Sequence, residues 1–308
     1  MGKRVFMFPG QGSQYVGMCN EFYDTMPNAK AVFVLASEKT GLEIPALSFE
    51  EKDKLNITEY TQICMLDTEA AKYQALVDKG ITPDMTAGLS LGEYGALIAS
   101  GAMSMADAFA VVRKRGIYMQ EAVPEGGAMT AIIGLDPEKI ASICEEAAAK
   151  ENKIVSVANY NCPGQTVITG EKEAVDVAAE ACKEAGAKRA IPLKVSGPFH
   201  SKMLEGAGAQ LAEAVKDVEL DDIKVPYLTN VTADYVESKD DIKGYLEKQV
   251  SSSVRWQQTI EKLIADGADE FIEIGPGRSL AGFMKKINKD VTVVNIDKLE
   301  DFEKYVNR

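Results

Sequence analysis

Histidine is almost missing from this chain: His200 is the only one among 308 residues. Multi-histidine metal chemistry is thereby excluded, and any step that needs an imidazole has one candidate. Cysteine is scarce and unpatterned. Cys19, Cys64, Cys144, Cys162 and Cys182 form no C-x-x-C, and five is an odd count. This argues against a disulfide framework or a zinc site and favours free thiols in a reducing cytoplasm. No apolar run reaches the length of a membrane span. The opening Met1 to Pro9 is too short an apolar run for a signal peptide and reads as a first core strand. Gly2 is not followed by the Ser or Thr of a myristoylation signal, because position 6 is Phe. Positive charge is in deficit, with 34 Lys and Arg against 47 Asp and Glu and a net charge of −13. Nucleic acid is therefore a poor partner, and any anionic partner must dock on a local basic patch.

What remains is ordinary for a globular protein, at 46% hydrophobic and 26% charged residues. The length suits one large domain or two modest ones. The chain is organised around Gly88-Leu89-Ser90-Leu91-Gly92, a G-x-S-x-G pattern. The spacing has a steric reason. A serine at a sharp strand-to-helix turn sits in strained backbone, and its neighbours two positions away must be small for the turn to close. The turn lifts the hydroxyl clear of the sheet and places the Leu91 N–H where an oxyanion would develop. Met85 to Ala87 reads as a short buried strand, and Leu91 to Ser100 as a helix stopped by Gly101. A tight turn without chemistry satisfies the same five residues, so the rest of the chain must decide.

Residues 3–8 read as a strand ending in Pro9-Gly10-Gln11-Gly12-Ser13-Gln14. The third glycine of a dinucleotide fingerprint is absent, which argues against a nucleotide site. Two readings stay open: a plain turn, or backbone N–H groups around Gln11 facing the pocket of Ser90. Residues 18–40 read as helical, and Glu50 to Lys54 as a solvated acidic stretch. Thr58 to Lys79 reads as a long helix with Ile63, Leu66, Ala70, Tyr73 and Val77 as its buried stripe and Gln62 in its first turn. Ser104 to Glu121 reads as a helix carrying Arg113, Lys114 and Arg115, by default an exposed basic face. Gly116 beside them would admit a backbone or a ligand. Val123 to Gly127 is a turn-rich boundary.

The pattern then changes to strand, helix, strand, strand, helix, strand between Met129 and Val195. That order is the split βαβ of ferredoxin-like domains. The expected architecture is α/β: a large subdomain with a parallel sheet, residues 1–126 and 196–308, and an inserted ferredoxin-like subdomain, residues 127–195. Ser196 to Ser201 follows the junction and carries His200, a good position for a cleft, although a lone histidine is as a rule a surface or satisfied core residue. Ala207 to Val218 reads as a helix, Val225 to Asn230 as an edge strand or loop, and Gln257 to Asp266 as a helix. Strands are expected at Glu270 to Ile274, ended by Gly275-Pro276-Gly277, and at Val291 to Ile296.

Taken together these pieces resemble the malonyl-CoA:acyl carrier protein transacylases of fatty-acid synthesis and the acyltransferase domains of polyketide synthases. The resemblance covers nearly the whole chain: Phe8 to Gln14, Gly88 to Leu97, Arg113 to Gln120, Asn159 to Gly170, Gly197 to Ser201, Leu228 to Val231 and Glu273 to Gly277, in order. It implies a hydrolase-like α/β part with a ferredoxin-like insertion. It also implies a ping-pong transfer of malonyl from malonyl-CoA, through Ser90, to the pantetheine thiol of acyl carrier protein. His200 would be the base, oriented by the Gln249 main-chain carbonyl, and the N–H groups of Gln11 and Leu91 would form the oxyanion hole. Arg115 would pair with the free malonyl carboxylate. Phe199 would limit space beside the α-carbon, and Gln62 and Asn161 would line the pocket. No bound cofactor, metal, nucleic acid or membrane is implied.

Two departures from the family's pattern are visible. Leu89 stands where the family usually has His, which implies altered packing beside the elbow, and Ile63-Cys64 follows Gln62 where Pro-Ala is frequent. A carrier, typically acidic, would find basic pairs at Lys188-Arg189 and Lys285-Lys286. Two rivals share parts of the pattern. A serine esterase or thioesterase shares the elbow, but such hydrolases place their histidine late, and here 308 − 200 = 108 residues follow it. A non-catalytic acyl-binding subunit would form no covalent adduct.

Overall fold

A computed structural model of the chain describes residues 2–123, 125–195 and 197–308. Pro124, within the expected turn boundary, and Ser196, at the expected junction, lie outside the described residues, as does Met1.

The first strand, β1 (Lys3–Phe8), is the middle of a five-stranded sheet, and Val5 to Phe8 are fully buried. Its apolar run barely alternates because helices cover both faces of a parallel sheet. After it come α1 (Asn20–Thr25), α2 (Pro27–Thr40), α3 (Ile44–Phe49), α4 (Lys52–Leu55) and α5 (Thr58–Asp78). The single helix expected over 18–40 is thus broken at Met26. Pro27 has no N–H to continue the first helix and starts the second. The acidic stretch at 50–54 also holds the short α4.

Helix α5 has the expected bounds but not the expected stripe. It packs against α2, α6 and α7 and is buried on most of its circumference, with Asp67, Glu69 and Lys72 buried too. A helix surrounded on all sides needs no polar face.

Then follow β2 (Met85–Gly88), α6 (Gly92–Ser100) and α7 (Met105–Ala122). Helix α6 stops at Gly101 with φ 75, and α7 begins on the Ser104 hydroxyl, which accepts the Asp107 N–H. Gly116 serves the backbone alternative: an added Cβ would lie 2.9 Å from Glu59 Cα of α5.

The inserted segment is β3 (Gly127–Ile133), α8 (Pro137–Glu151), β4 (Val155–Cys162), β5 (Gln165–Glu171), α9 (Lys172–Glu184) and β6 (Arg189–Pro192). Its strands form their own antiparallel sheet in the order β4-β5-β3-β6. The sheet bears out the ferredoxin-like insertion expected from the β-α-β-β-α-β succession of elements, and it has its own core of Ile132, Ile140, Ile143, Ile168 and Val175.

The chain then returns through α10 (Glu205–Val215), β7 (Tyr227–Leu228), α11 (Lys239–Ser251), α12 (Trp256–Ala265), β8 (Ala268–Ile274), α13 (Ser279–Ile287), β9 (Thr292–Ile296) and α14 (Leu299–Val306). The large sheet runs β7-β2-β1-β8-β9, parallel throughout. Helices α11, α13 and α14 were not expected from the sequence.

The register matters most at the carboxyl edge. Phe8 pairs with Gly88, so the loop after β1 and the elbow after β2 leave the sheet side by side. Parallel α/β sheets place their ligands at this edge.

Candidate active site

Ser90 stands between β2 and α6 with φ 53, a left-handed conformation unfavourable for a residue with a Cβ. Both flanking glycines are required. A Cβ on Gly88 would overlap the Gly92 carbonyl, and one on Gly92 would overlap the Phe8 carbonyl. The turn is clamped from outside by Asn230, whose Oδ1 accepts the Ser90 N–H at 2.6 Å and whose Nδ2 donates to Gly88 O at 2.6 Å. Around the elbow, the N–H groups of Leu89, Gly92, Glu93 and Tyr94 are spent on main-chain acceptors. The Leu91 N–H is not among them, and Leu91 and Gln11 both border the cavity above Ser90. The base of the Gln11 loop is fixed by Gly275, where a Cβ would overlap Pro9.

His200 is also left-handed, with φ 60, and is buried. Its Nε2 lies 2.8 Å from Ser90 Oγ. Its Nδ1 faces two carbonyls, Gln249 O at 2.9 Å and Ser252 O at 3.1 Å. Two acceptors there place the proton on Nδ1, which leaves Nε2 with a lone pair towards the serine hydroxyl. Only the first of these carbonyls was expected. Both belong to the C-terminal end of α11, where carbonyls have no partner within the helix and the dipole is negative. Burial, and next the Arg115 charge, lower the imidazole pKa from 6.5 to about 4, against the opposing pull of the two carbonyls.

Arg115 is buried as well, 1% exposed, at the centre of α7. The exposed basic face expected of residues 113–115 is therefore corrected. Arg113 pairs with Glu59 at 2.8 Å, and only Lys114 is exposed. The Arg115 guanidinium donates from Nη1 to Gln62 Oε1 at 2.6 Å and from Nη2 to Gln249 Oε1 at 2.9 Å. Nη2 also reaches Ser90 Oγ at 3.3 Å, and the group stacks over Tyr94 with 5.6 Å to the ring centroid. Nε is buried without an acceptor. Burial lowers the Arg115 pKa from its ordinary value. A charge this deep is held by two amides, a hydroxyl and a ring face, with no ion pair to a carboxylate among the described residues.

A cavity of about 420 Å³ joins these groups. Phe199 forms one wall, and Asn161 on β4 faces it with a buried, unpartnered Oδ1. Leu89 also borders the cavity and packs so closely on the Gln11 loop that a Cβ on Gly10 would lie 2.9 Å from its Cδ2. Gln11, Gln62, Ser90, Leu91, Arg115, Asn161, Phe199 and His200 thus all border this cavity, and Gln249 bonds to both Ser90 O and Arg115 from behind. Sequence reading gave no role to Asn230, Glu93 or Ser252. The first two lie inside quoted motifs, and nothing local marks the third.

A strained serine at the edge of a parallel sheet, with a ferredoxin-like sheet closing over it, is the build of a serine acyltransferase. The chain belongs to the acyl transferase domain family, whose model matches residues 5–297. It is 46% identical over 305 residues to the malonyl CoA-acyl carrier protein transacylase of Bacillus subtilis, covering 98% of this chain and 96% of that one. The crystal structure of MCAT from Streptococcus pneumoniae superposes with a TM-score of 0.95 at 45% identity, covering 99% of each chain. A malonyl-transacylase solved in complex with its type II PKS acyl-carrier protein gives a TM-score of 0.95 at 39% identity, covering 99% of each chain.

With only one imidazole, the site can be titrated without assignment. In proton NMR the His200 ring signals should titrate near pH 4 in the folded protein and near the ordinary 6.5 after denaturation. The same shift has a stability sign. The unfolded chain takes up the proton first, so stability falls as pH drops from the unfolded value through the folded one. A folded-state midpoint at or above 6.5 would contradict the buried, neutral ring.

Proposed function

We infer that this chain transfers malonyl from malonyl-CoA to the pantetheine thiol of acyl carrier protein, supplying fatty-acid synthesis. The observation that carries this is Ser90 Oγ standing 2.8 Å from His200 Nε2 and 3.3 Å from the Arg115 guanidinium. One small diacid thioester can meet all three groups.

In the first half-reaction His200 Nε2 takes the Ser90 proton while Oγ bonds to the thioester carbonyl carbon. The carbonyl oxygen becomes an oxyanion facing the N–H groups of Gln11 and Leu91. The C–S bond breaks as His200 gives that proton to the departing sulfur, so coenzyme A leaves as the free thiol. In the second half-reaction the carrier's thiol gives its proton to His200 and its sulfur bonds to the malonyl ester carbon; the C–Oγ bond breaks, and His200 returns the proton to Ser90 Oγ. A thiol of pKa about 8.5 departs with little help, so a ring oriented by carbonyls suffices where a carboxylate partner would be stronger. Arg115 pairs with the free carboxylate, and Gln62 and Asn161 line the acyl pocket. Phe199 limits space at the α-carbon. A carboxylate seated on Arg115 also offsets the positive charge that depresses His200, so the malonyl group improves the base that activates its own acceptor. The scheme calls for no resident cofactor or metal, because phosphopantetheine arrives on the partner.

The large α/β unit comprises residues 1–126 and 196–308, with 127–195 inserted; the separate core beneath the small sheet supports this division. Five buried, unpaired cysteines suit a reducing cytoplasm. No helix among the described residues is long and apolar enough to cross a membrane.

Intact mass tests the activity. Incubation with malonyl-CoA should add one malonyl increment, and Ser90→Ala should abolish it. No increment on the unmodified chain would favour a non-catalytic acyl-binding subunit. Free malonate without loaded holo carrier would favour a thioesterase. Arg115→Ala should lower the malonyl-to-acetyl preference by about one to two orders of magnitude, the cost of an unmade charged hydrogen bond. An unchanged preference, measured as the ratio of kcat/KM values, would remove Arg115 from selectivity.

The carrier would approach over Lys188, Arg189, Lys285 and Lys286. All four are exposed, and the last two are on α13, whose Phe283 borders the cavity. Reversing these charges should raise the carrier KM and leave malonyl loading from coenzyme A intact. Unaltered carrier kinetics would place docking elsewhere.

A further inference from the structure

Glu93 follows Gly92 at the start of α6 and is completely buried directly beneath the elbow. Its Oε2 accepts two N–H groups: the main-chain N–H of Asn230 at 3.0 Å and the side-chain Nε2–H of Gln249 at 2.7 Å. The second contact decides a geometry that the acyl pocket depends on. The Gln249 amide has two faces with opposite chemistry. Nε2 points at Glu93 Oε2 and at Ser90 O, 2.9 Å away, while Oε1 accepts from Arg115 Nη2 at 2.9 Å. Reversing the amide would set an NH₂ against a guanidinium and an oxygen against two acceptors.

We propose that Glu93 is a positioning residue for acyl-group selectivity: by accepting the Gln249 Nε2–H it holds Gln249 Oε1 on Arg115 and fixes the guanidinium where the substrate's free carboxylate lands. Of the two acceptors facing Nε2, Ser90 O belongs to the main chain, and Glu93 is the one supplied by a side chain. Without it one Nε2–H is buried and unpaired, and the amide is free to turn. Arg115 then loses one of its two amide anchors and keeps Gln62, with the longer reach to Ser90 Oγ and the Tyr94 ring face. A cation that wanders gives up the bidentate fit that separates a carboxylate from a methyl group. Because the Asn230 N–H demands an acceptor at the Oε2 position, a glutamine at 93 would present its own oxygen there and preserve the arrangement.

This rests on the reading of Arg115 given above, and the test keeps the two apart. The kcat/KM values for malonyl and acetyl transfer to holo carrier are measured for the unmodified chain, Glu93→Ala and Glu93→Gln, with folding followed by circular dichroism. The expected result is a malonyl-to-acetyl ratio about tenfold lower in E93A and within about threefold of the unmodified value in E93Q. Equal loss of both activities in E93A would show a merely structural role and overturn the proposal. So would an E93Q ratio as low as that of E93A, since charge and not amide orientation would then matter. If E93A does not fold, Glu93→Asp withdraws the acceptor by about 1.5 Å and carries the same expectation. An unmodified chain that accepts no malonyl overturns the activity itself; one that does, beside an unchanged E93A ratio, overturns only the role of Glu93.

Discussion

Two contacts that only glycine permits hold the whole site in place: Gly88 against Gly92, and Gly92 against the end of β1. They let the backbone reverse within one residue, and that residue is Ser90 with φ 53. Strain of this kind costs about 1–3 kcal/mol and persists only where the surroundings over-determine it. Here Asn230 grips the turn at both the Ser90 N–H and the Gly88 carbonyl. The parallel register of β1 and β2 then sets the Gln11 loop alongside. The positions of the Ser90 hydroxyl and of the neighbouring N–H groups are therefore set by the carboxyl edge of the sheet and by the Asn230 clamp.

The electrostatics follow from burial. A guanidinium sits at 1% exposure, surrounded by amide oxygens, a hydroxyl and a ring face. Its direct hydrogen-bond partners are neutral, and the nearest buried carboxylate to act on it, Glu93, reaches it through the Gln249 amide. Burial makes charges interact strongly here. Burial first, and the guanidinium charge second, keep the neighbouring imidazole neutral.

Much of this was legible in the sequence, and the losses have physical causes. The elbow, the β1 loop, the single histidine and the inserted β-α-β-β-α-β order all depend on local steric or periodic signals. Gly and Pro mark them sharply. Helix α11 was missed because nearly half of Lys239 to Ser251 is charged, and among its buried residues only Ile242, Leu246 and Val250 are apolar, a thin stripe. With that helix went any account of why its last carbonyls are free, and hence the second contact of His200, to Ser252. Arg115 was ambiguous because Arg113 and Lys114 beside it suggest a solvated face; only the packing of α5 against α7 shows which of the three turns inward. The buried carboxylates Asp67, Glu69 and Glu93 leave no trace in periodicity, since a helix enclosed on all sides obeys no amphipathic pattern.

The groups that orient His200 belong to the main chain at the end of a helix. Such a pair offers no side chain to truncate and no proton to gain in acid, so replacing Gln249 or Ser252 leaves both oxygens where they are. The vulnerability moves elsewhere, to whatever keeps the last turn of α11 wound. In evolutionary terms the imidazole is tethered to a piece of secondary structure, and the two residue identities at that end are released to serve other ends.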